Sequence, residues 1–233
     1  MKRTALYNMV QQQIRPWDVH NRELLRLLHS LPREDFLPTE LRPFAYMDIE
    51  LPLVLNDGDN TGTKLMPPRL LARMVQELDL QGTENVALVG LGDGYLAALL
   101  AKFARTVTAY EINEKILRFA QNNLNQANVH NVNYELSNGL KASSDKFDVL
   151  VLAGSIARLT PALLNKIAVG GQMLAVVGEP SAPMMSAVLV TRTDEQSWAQ
   201  KTLFETILSP LSDDERKKSA TPIAGKVSQF TFL

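Results

Sequence analysis

The chain has 233 residues, 45% of them hydrophobic, with 24 lysines and arginines set against 25 acidic residues. That length suits one α/β domain with a small appendage and allows a substantial buried core. Balanced charge excludes the basic excess that neutralises a nucleic-acid backbone, and the lack of cysteine excludes disulfides, zinc-thiolate sites and cysteine nucleophiles.

The opening segment "MKRTALYNMVQQQIRPWD" begins basic but meets Gln11, Gln12 and Gln13 before an apolar core of signal-peptide length can form. No apolar run approaches the length of a membrane span. The expectation is a cytoplasmic protein with neither membrane nor nucleic-acid partners. Apolar residues at helical spacing, Leu6, Met9, Val10 and Ile14, then Leu24, Leu25, Leu27, Leu28 and Leu31, predict two short helices broken at Arg15, Pro16 and Trp17. From Pro32 to Asn60 the chain is rich in Pro, Asp and Asn, with "AYMDIELPLVL" as its one strand-like piece. It reads as an irregular segment packed on something larger. Residues 1–60 are therefore taken as a helical and irregular appendage, and 61–233 as the main domain.

The main domain alternates elements. Helix-like "PRLLARMVQELDL" precedes strand "NVALVG", helix "YLAALLAKFA", strand "TVTAYE", helix "EKILRFAQNNLNQA", strands "VNYEL" and "KFDVLVLAG", helix "PALLNKIA" and strand "QMLAVVG". Strands apolar on both faces and separated by helices imply a parallel sheet covered on both sides, a doubly wound Rossmann-type α/β fold. Thr160 before Pro161 is a predicted helix start, and Gly170 with Gly171 the end of that helix. In the tail, "SAVLVTRT", "QKTLFETIL" and "SQFTFL" read as two or three antiparallel strands at one sheet edge. "DDERKK", residues 213–218, reads as an exposed charged loop.

In such sheets the ligand sits beyond the C-terminal strand ends, and the first strand-to-helix turn passes closest to it. Gly90, Gly92 and Gly94 occupy that turn, where the missing Cβ permits φ > 0 and leaves room for a ligand. Glu111 ends the next strand, about 20 residues on, where an acidic side chain accepts from both ribose hydroxyls. Asn138 and Gly139 follow the third strand. The Asn138 carbonyl could accept from an adenine amine, and a simple Asn-Gly turn accounts for the pair equally well. A dinucleotide fingerprint would place its third glycine at Tyr95, and Asp93 would repel a phosphate. The tighter G-x-G-x-G turn points to S-adenosylmethionine, with Gly90, Leu91, Gly92, Asp93, Gly94, Tyr95, Glu111, Ile112, Asn138 and Gly139 as cofactor-binding candidates. A nicotinamide-dependent oxidoreductase is disfavoured on the same residues.

The segments "MVQQQIRPWDV", "LPREDFLP", "AYMDIELPL", "VGLGDGYLAALLA", "AYEIN" and "FDVLVLAG…PALLNKIAVGGQMLAVVG" resemble, in order, those of protein-L-isoaspartate O-methyltransferases. The resemblance covers about residues 8–178. It implies a methyltransferase Rossmann fold with an N-terminal helical appendage, S-adenosylmethionine as cofactor, a protein or peptide substrate, and methyl transfer to the free α-carboxylate of an L-isoaspartyl residue. Three positions depart from the family: Met66 in "GTKLMPPRLLARM" stands where a functional serine is usual, Leu88 where the glycine-loop strand usually carries an acid, and Asn138 where aspartate is usual. The resemblance thus leaves the catalytic residue unassigned.

Transfer to a carboxylate needs no strong base, because the nucleophile is ionised at neutral pH; alignment and desolvation supply the acceleration. A hydroxyl at position 66 would orient the acceptor, which methionine cannot do. Lys64 and Arg69 flank that position and could offer positive charge, although long cations are mostly solvated. Two further readings stay open: a non-catalytic or regulatory homologue, and a methyltransferase with a different acceptor. His20, His29 and His130 are dispersed, so no metal site is expected. Trp17 is expected to pack the N-terminal segment on the core, and Ser155, without a G-x-S-x-G elbow, is no hydrolase nucleophile.

Overall fold

The computed structural model describes residues 2–141 and 146–211. The expected strand "SQFTFL" and the "DDERKK" loop lie outside them.

The N-terminal segment forms α1 (Lys2–Asn8), a π-helical turn over Met9–Ile14 and a 3-10 turn over Arg15–Trp17. Helix α2 (Arg22–Ser30) follows, started by Asn21, whose side chain accepts from the Glu23 and Leu24 N–H groups. The break falls at Arg15–Trp17 as the sequence predicts, ending at Asp18 in the left-handed region (φ 60°). Met9, Val10, Ile14, Leu24 and Leu28 are buried, so this segment is one wall of the main core.

Two short 3-10 turns, Arg33–Phe36 and Thr39–Phe44, lead to a hairpin of β1 (Leu51–Val54) and β2 (Asn60–Leu65), antiparallel with Leu51 opposite Leu65. The strand expected in "AYMDIELPLVL" is confined to its last third, and β2 is an addition. Its sequence "NTGTKL" buries Thr61 and Leu65, too few apolar positions to register as a strand.

From α3 (Pro68–Glu77) onward the order is β3 (Asn85–Val89), α4 (Tyr95–Phe103), β4 (Thr106–Glu111), α5 (Glu114–Gln126), β5 (Val132–Leu136), β6 (Phe147–Ile156), α6 (Pro161–Leu164), β7 (Ile167–Val177), β8 (Met185–Asp194) and β9 (Ser197–Thr206). The seven strands form one sheet in the order β5-β4-β3-β6-β7-β8-β9. β3 pairs in parallel with both β4 and β6, while β8 and β9 join antiparallel at the edge. The strand order reverses at β3, which opens a crevice beyond the C-terminal ends of β3, β4 and β6.

Alternation along the strands divides the core. Val86, Leu88, Val107, Ala109, Val149 and Val151 face α3, α4, α5 and the N-terminal helices. Ala87, Val89, Tyr110, Leu150, Leu152 and Met173 face the opposite layer, whose described helix is the single turn α6. Tyr95–Ala101 of α4 are all buried, which explains why that helix is apolar on every side: it is enclosed by the sheet and its neighbouring helices.

The helix expected over residues 161–168 is shorter than its pattern suggested, and Gly170 and Gly171 do not end it. Thr160 caps it as expected, accepting from the Leu163 N–H, but Ile167 already pairs with Phe147 in the sheet. The two glycines lie inside β7, at an irregularity between the pairs Phe147–Ile167 and Val149–Gln172. Gly170 has φ 84°, and a Cβ on Gly171 would stand 2.6 Å from the Asp148 carbonyl oxygen. Their role is a bulge and a close strand approach. Among the described residues no helix is long and apolar enough to cross a membrane.

Candidate active site

The crevice at the end of β3 is lined by Gly90, Leu91, Gly92 and Asp93 of the glycine turn, Tyr110 to Ile112 after β4, and Ser137 to Leu140 after β5. Arg33, Gly62 to Met66, Leu71, Leu96 and Ser209 to Leu211 also line it. Eight of the ten cofactor candidates read from sequence therefore meet in one cavity.

Gly94 and Tyr95 do not line it. Gly94 (φ 87°) starts α4, and a Cβ there would stand 3.2 Å from the Ala120 carbonyl oxygen, so its bareness lets the turn approach α5. Tyr95 is buried, stacks edge-on against Phe36 with ring centroids 5.1 Å apart, and donates its hydroxyl to the Leu31 carbonyl at 3.1 Å. It fastens the appendage to α4.

Glu111 is fixed by the backbone. Its Oε2 accepts from the Leu91 N–H at 3.1 Å, and its Oε1 from the N–H groups of Ile112 and Asn113 at 2.9 and 3.0 Å. Three of about four acceptor positions on the carboxylate are filled, which leaves capacity on Oε2, the oxygen turned to the glycine turn. Gly90 (φ 90°) and Gly92 (φ 56°) both sit in the left-handed region, and a Cβ on Gly92 would meet Leu65 at 3.1 Å. Asn138 makes the simple turn: its Oδ1 accepts from the Leu140 N–H at 3.0 Å and its carbonyl from Lys141 at 2.9 Å. It lines the cavity in that conformation.

Asp93 and Arg33 are both buried, 6% and 0% exposed. The Tyr95 N–H donates to Asp93 Oδ1 at 3.0 Å, while Oδ2 has no hydrogen-bond partner. Burial pushes the Asp93 carboxyl above its ordinary range, opposed by the positive charge of Arg33. Arg33 donates to the Met66 carbonyl at 2.8 Å and the Ala45 carbonyl at 3.4 Å, and its Nε is buried without a hydrogen-bond partner. Burial pulls its pKa down, opposed most by Asp93. Asn123 Nδ2 closes the corner by donating to the carbonyls of Phe36 and Asp93 at 2.7 and 2.9 Å.

On the far side of the cavity Met66 is buried and contributes a thioether where a hydroxyl was sought. Ser209 lies nearby in the wall, but its Oγ and N–H donate to Glu50 at 2.9 Å each. Lys64 lines the cavity and stands 3.7 Å from Glu50. Arg69 lies outside the lining, ion-paired with Asp48 at 2.9 Å and with its guanidinium 3.5 Å above the Trp17 ring. Both cations flanking position 66 thus already face a carboxylate. Trp17 also packs on Phe204, and Ser155 is buried with its hydroxyl donating to the Leu208 carbonyl at 2.8 Å. The three histidines are exposed.

Sequence reading missed Arg33 and the 209–211 segment. Arg33 sits in "LPREDFLP", one of the family-like segments, and that was the available signal. Nothing in "SPL" foretold that Ser209 and Leu211 would bracket Ser155 through backbone hydrogen bonds of 3.0 Å.

A model of the protein-L-isoaspartate(D-aspartate) O-methyltransferase family matches residues 5–216. A protein-L-isoaspartate O-methyltransferase 1 from Rhodopseudomonas palustris strain HaA2 is 31% identical over 217 residues, covering 92% of this chain and 85% of that one. A protein-L-isoaspartate O-methyltransferase from Koribacter versatilis is 29% identical over 182 residues, covering 77% and 79%. Among solved structures, one protein-L-isoaspartate O-methyltransferase superposes with a TM-score of 0.74 at 18% identity, over 92% of this chain and 67% of that one. A Plasmodium falciparum structure described as a protein-L-isoaspartate O-methyltransferase in complex with S-adenosyl-L-homocysteine gives 0.69 at 16% identity, over 90% and 97%. These two likenesses concern the fold.

Proposed function

Since the chain belongs to the protein-L-isoaspartate O-methyltransferase family, we propose that it moves the methyl group of S-adenosylmethionine to a carboxylate of a protein substrate, of the isoaspartyl type. The observation that carries this reading is the cavity in which the glycine turn and Glu111 are hydrogen-bonded to each other.

The donor set suits the cofactor. S-adenosylmethionine supplies a methyl group on a sulfonium, which leaves as a neutral thioether when an acceptor oxygen takes the methyl. Glu111, held at the end of β4 by three backbone N–H groups, would accept a ribose hydroxyl on Oε2. Gly90, Leu91 and Gly92 keep the main chain open along the ligand, and Ile112, Asn138 and Gly139 would flank the adenine. Asp93, in the cavity lining, would put negative charge beside the cationic part of the cofactor and tells against a phosphate there.

No base is required of the chain for a carboxylate acceptor. Its residues have to align the acceptor with the methyl group and keep water away. Met66, Leu65 and Leu71 make that wall apolar, which desolvates the acceptor oxygen. Among the described residues two cations line the cavity, buried Arg33 and exposed Lys64, and Lys64 would be the one to meet an acceptor coming from solvent.

The proposal is tested by calorimetry with S-adenosylhomocysteine and by transfer of radiolabelled methyl to isoaspartyl peptides. Binding and transfer are both expected; a folded protein that fails to bind the ligand at millimolar concentration sinks the cofactor assignment. The engagement of Ser209 and Lys64 with Glu50 favours a second reading, a different acceptor. Binding without transfer to isoaspartyl peptides would select it.

A further inference from the structure

The cavity has a carboxylate whose partner is missing. Leu88, at the position where the glycine-loop strand usually brings an acid, is fully buried in the apolar core, so β3 delivers no charge to the site. Asp93, five residues on, delivers one from the turn. One of its oxygens is used by Tyr95 and the other is buried without a donor. Leaving a buried charged acceptor without a donor is costly, and among the described residues no group donates a hydrogen bond to Oδ2. Arg33 attracts the carboxylate through its charge but makes no hydrogen bond to it, donating instead to the Met66 and Ala45 carbonyls, while its Nε is itself buried without an acceptor. Asn123 donates to the Asp93 backbone rather than to its side chain. Asp93 lines the cavity, from which a ligand can bring a donor.

Resting on the cofactor reading above, we propose that Asp93 is the specificity-determining residue for the amino-acid end of the cofactor: its Oδ2 accepts from the ligand's α-ammonium group. The chemistry of the ligand leaves this group as the match. The sulfonium has no hydrogen to donate. In the cofactor reading above the ribose would be taken by Glu111 and the adenine by Ile112, Asn138 and Gly139, all of which line the cavity. An ammonium provides both the hydrogen and the positive charge that a buried carboxylate lacks. The turn thereby restores the charge that the strand has lost at Leu88.

The test compares two ligands that differ at that end. S-adenosylhomocysteine carries the ammonium, whereas 5′-methylthioadenosine keeps the adenosine and the thioether without the amino-acid group. Calorimetry on the wild type and on Asp93→Asn, whose Oδ1 can still accept from Tyr95, should show S-adenosylhomocysteine weakened roughly tenfold or more and methylthioadenosine nearly unchanged. Equal weakening of both ligands, or of neither, overturns the proposal while leaving the cofactor assignment intact. Failure of the wild type to bind either ligand overturns both. Should Asp93→Asn not fold, the wild type with the S-adenosyl analogue bearing hydrogen in place of the amino group gives the same comparison: a loss of roughly tenfold or more supports the proposal, and equal affinity ends it.

Discussion

The Leu91 N–H donates to Glu111 Oε2 at 3.1 Å, so the glycine turn after β3 and the acid that ends β4 are one hydrogen-bonded unit. A change at either residue moves the other, and the cavity geometry depends on both.

Glu111→Gln keeps the size of the side chain and removes its charge. The amide nitrogen cannot accept, so at least one of the three backbone N–H groups loses its partner. Hydrogen bonds to charged groups contribute about 1.5–3 kcal/mol each. S-adenosylhomocysteine should bind roughly 10- to 100-fold more weakly, with a lower melting temperature before ligand is added; unchanged affinity in calorimetry would remove Glu111 from the site.

Gly139→Ala and Gly92→Ala should differ. A Cβ on Gly139 would stand 2.7 Å from Tyr110 Cβ and 2.8 Å from Val89 Cγ2, both held by the sheet, whereas one on Gly92 meets the mobile end of Leu65 at 3.1 Å. The first change should cost about 1–3 kcal/mol from overpacking. The second should cost about 1–2 kcal/mol from its left-handed backbone. Urea unfolding measures both, and ligand affinity should fall in each.

Met66→Ser restores a hydroxyl at the acceptor side without touching the carbonyl that Arg33 holds. Loss of the buried thioether should destabilise the fold by about 2–4 kcal/mol. Affinity for S-adenosylhomocysteine should stay within about a factor of two, while KM for an isoaspartyl peptide falls, the sign of improved ground-state binding. An unchanged KM would mean that the hydroxyl has no acceptor to orient.

Ser155→Ala removes a buried hydrogen bond to the Leu208 carbonyl and should cost about 1 kcal/mol. Methyl transfer should survive, since the hydroxyl points at backbone. Abolished transfer with intact ligand binding would show that the 208–211 segment needs this bond to form the cavity wall.

Ligand-free stability should depend on pH through Asp93. Burial raises its pKa above the ordinary 3.8, so the folded state holds this proton more tightly than the unfolded state. The contribution is favourable below 3.8 and is lost as pH rises from there through the raised folded value. Asp93→Asn should therefore gain on the wild type as pH rises above 3.8, measured by urea unfolding without ligand. Saturating S-adenosylhomocysteine should reverse the order at neutral pH.

Elements built from local signals were legible in the sequence. β3, β4 and α5 follow from their apolar period, and the structure adds the cap of α5, where Asn113 accepts from the Lys115 and Ile116 N–H groups. The glycine turn and Glu111 follow from their spacing. Arg33 was not legible, because an arginine between proline and glutamate looks solvated; its burial depends on carbonyls 12 and 33 residues away. Ser209 and Leu211 enter the wall through an isolated pairing of Pro210 with Ser155, a contact with no periodic signature. α6 was overread because "PALLNKIA" keeps helical spacing while Ile167 gains more by joining the sheet beside Phe147.

Asn123 bears on how the cavity comes into being. Its amide joins Phe36 and Asp93, contacts that close chain loops of 87 and 30 residues. Long loop closures form slowly and are entropically costly until much of the molecule is in place. The turn at Asp93 thus reaches its final position together with the N-terminal segment rather than with β3 and α4. The amide hydrogens of the turn should accordingly exchange with solvent on the time scale of global unfolding, and the cofactor cavity is a property of the whole described chain rather than of the sheet that frames it.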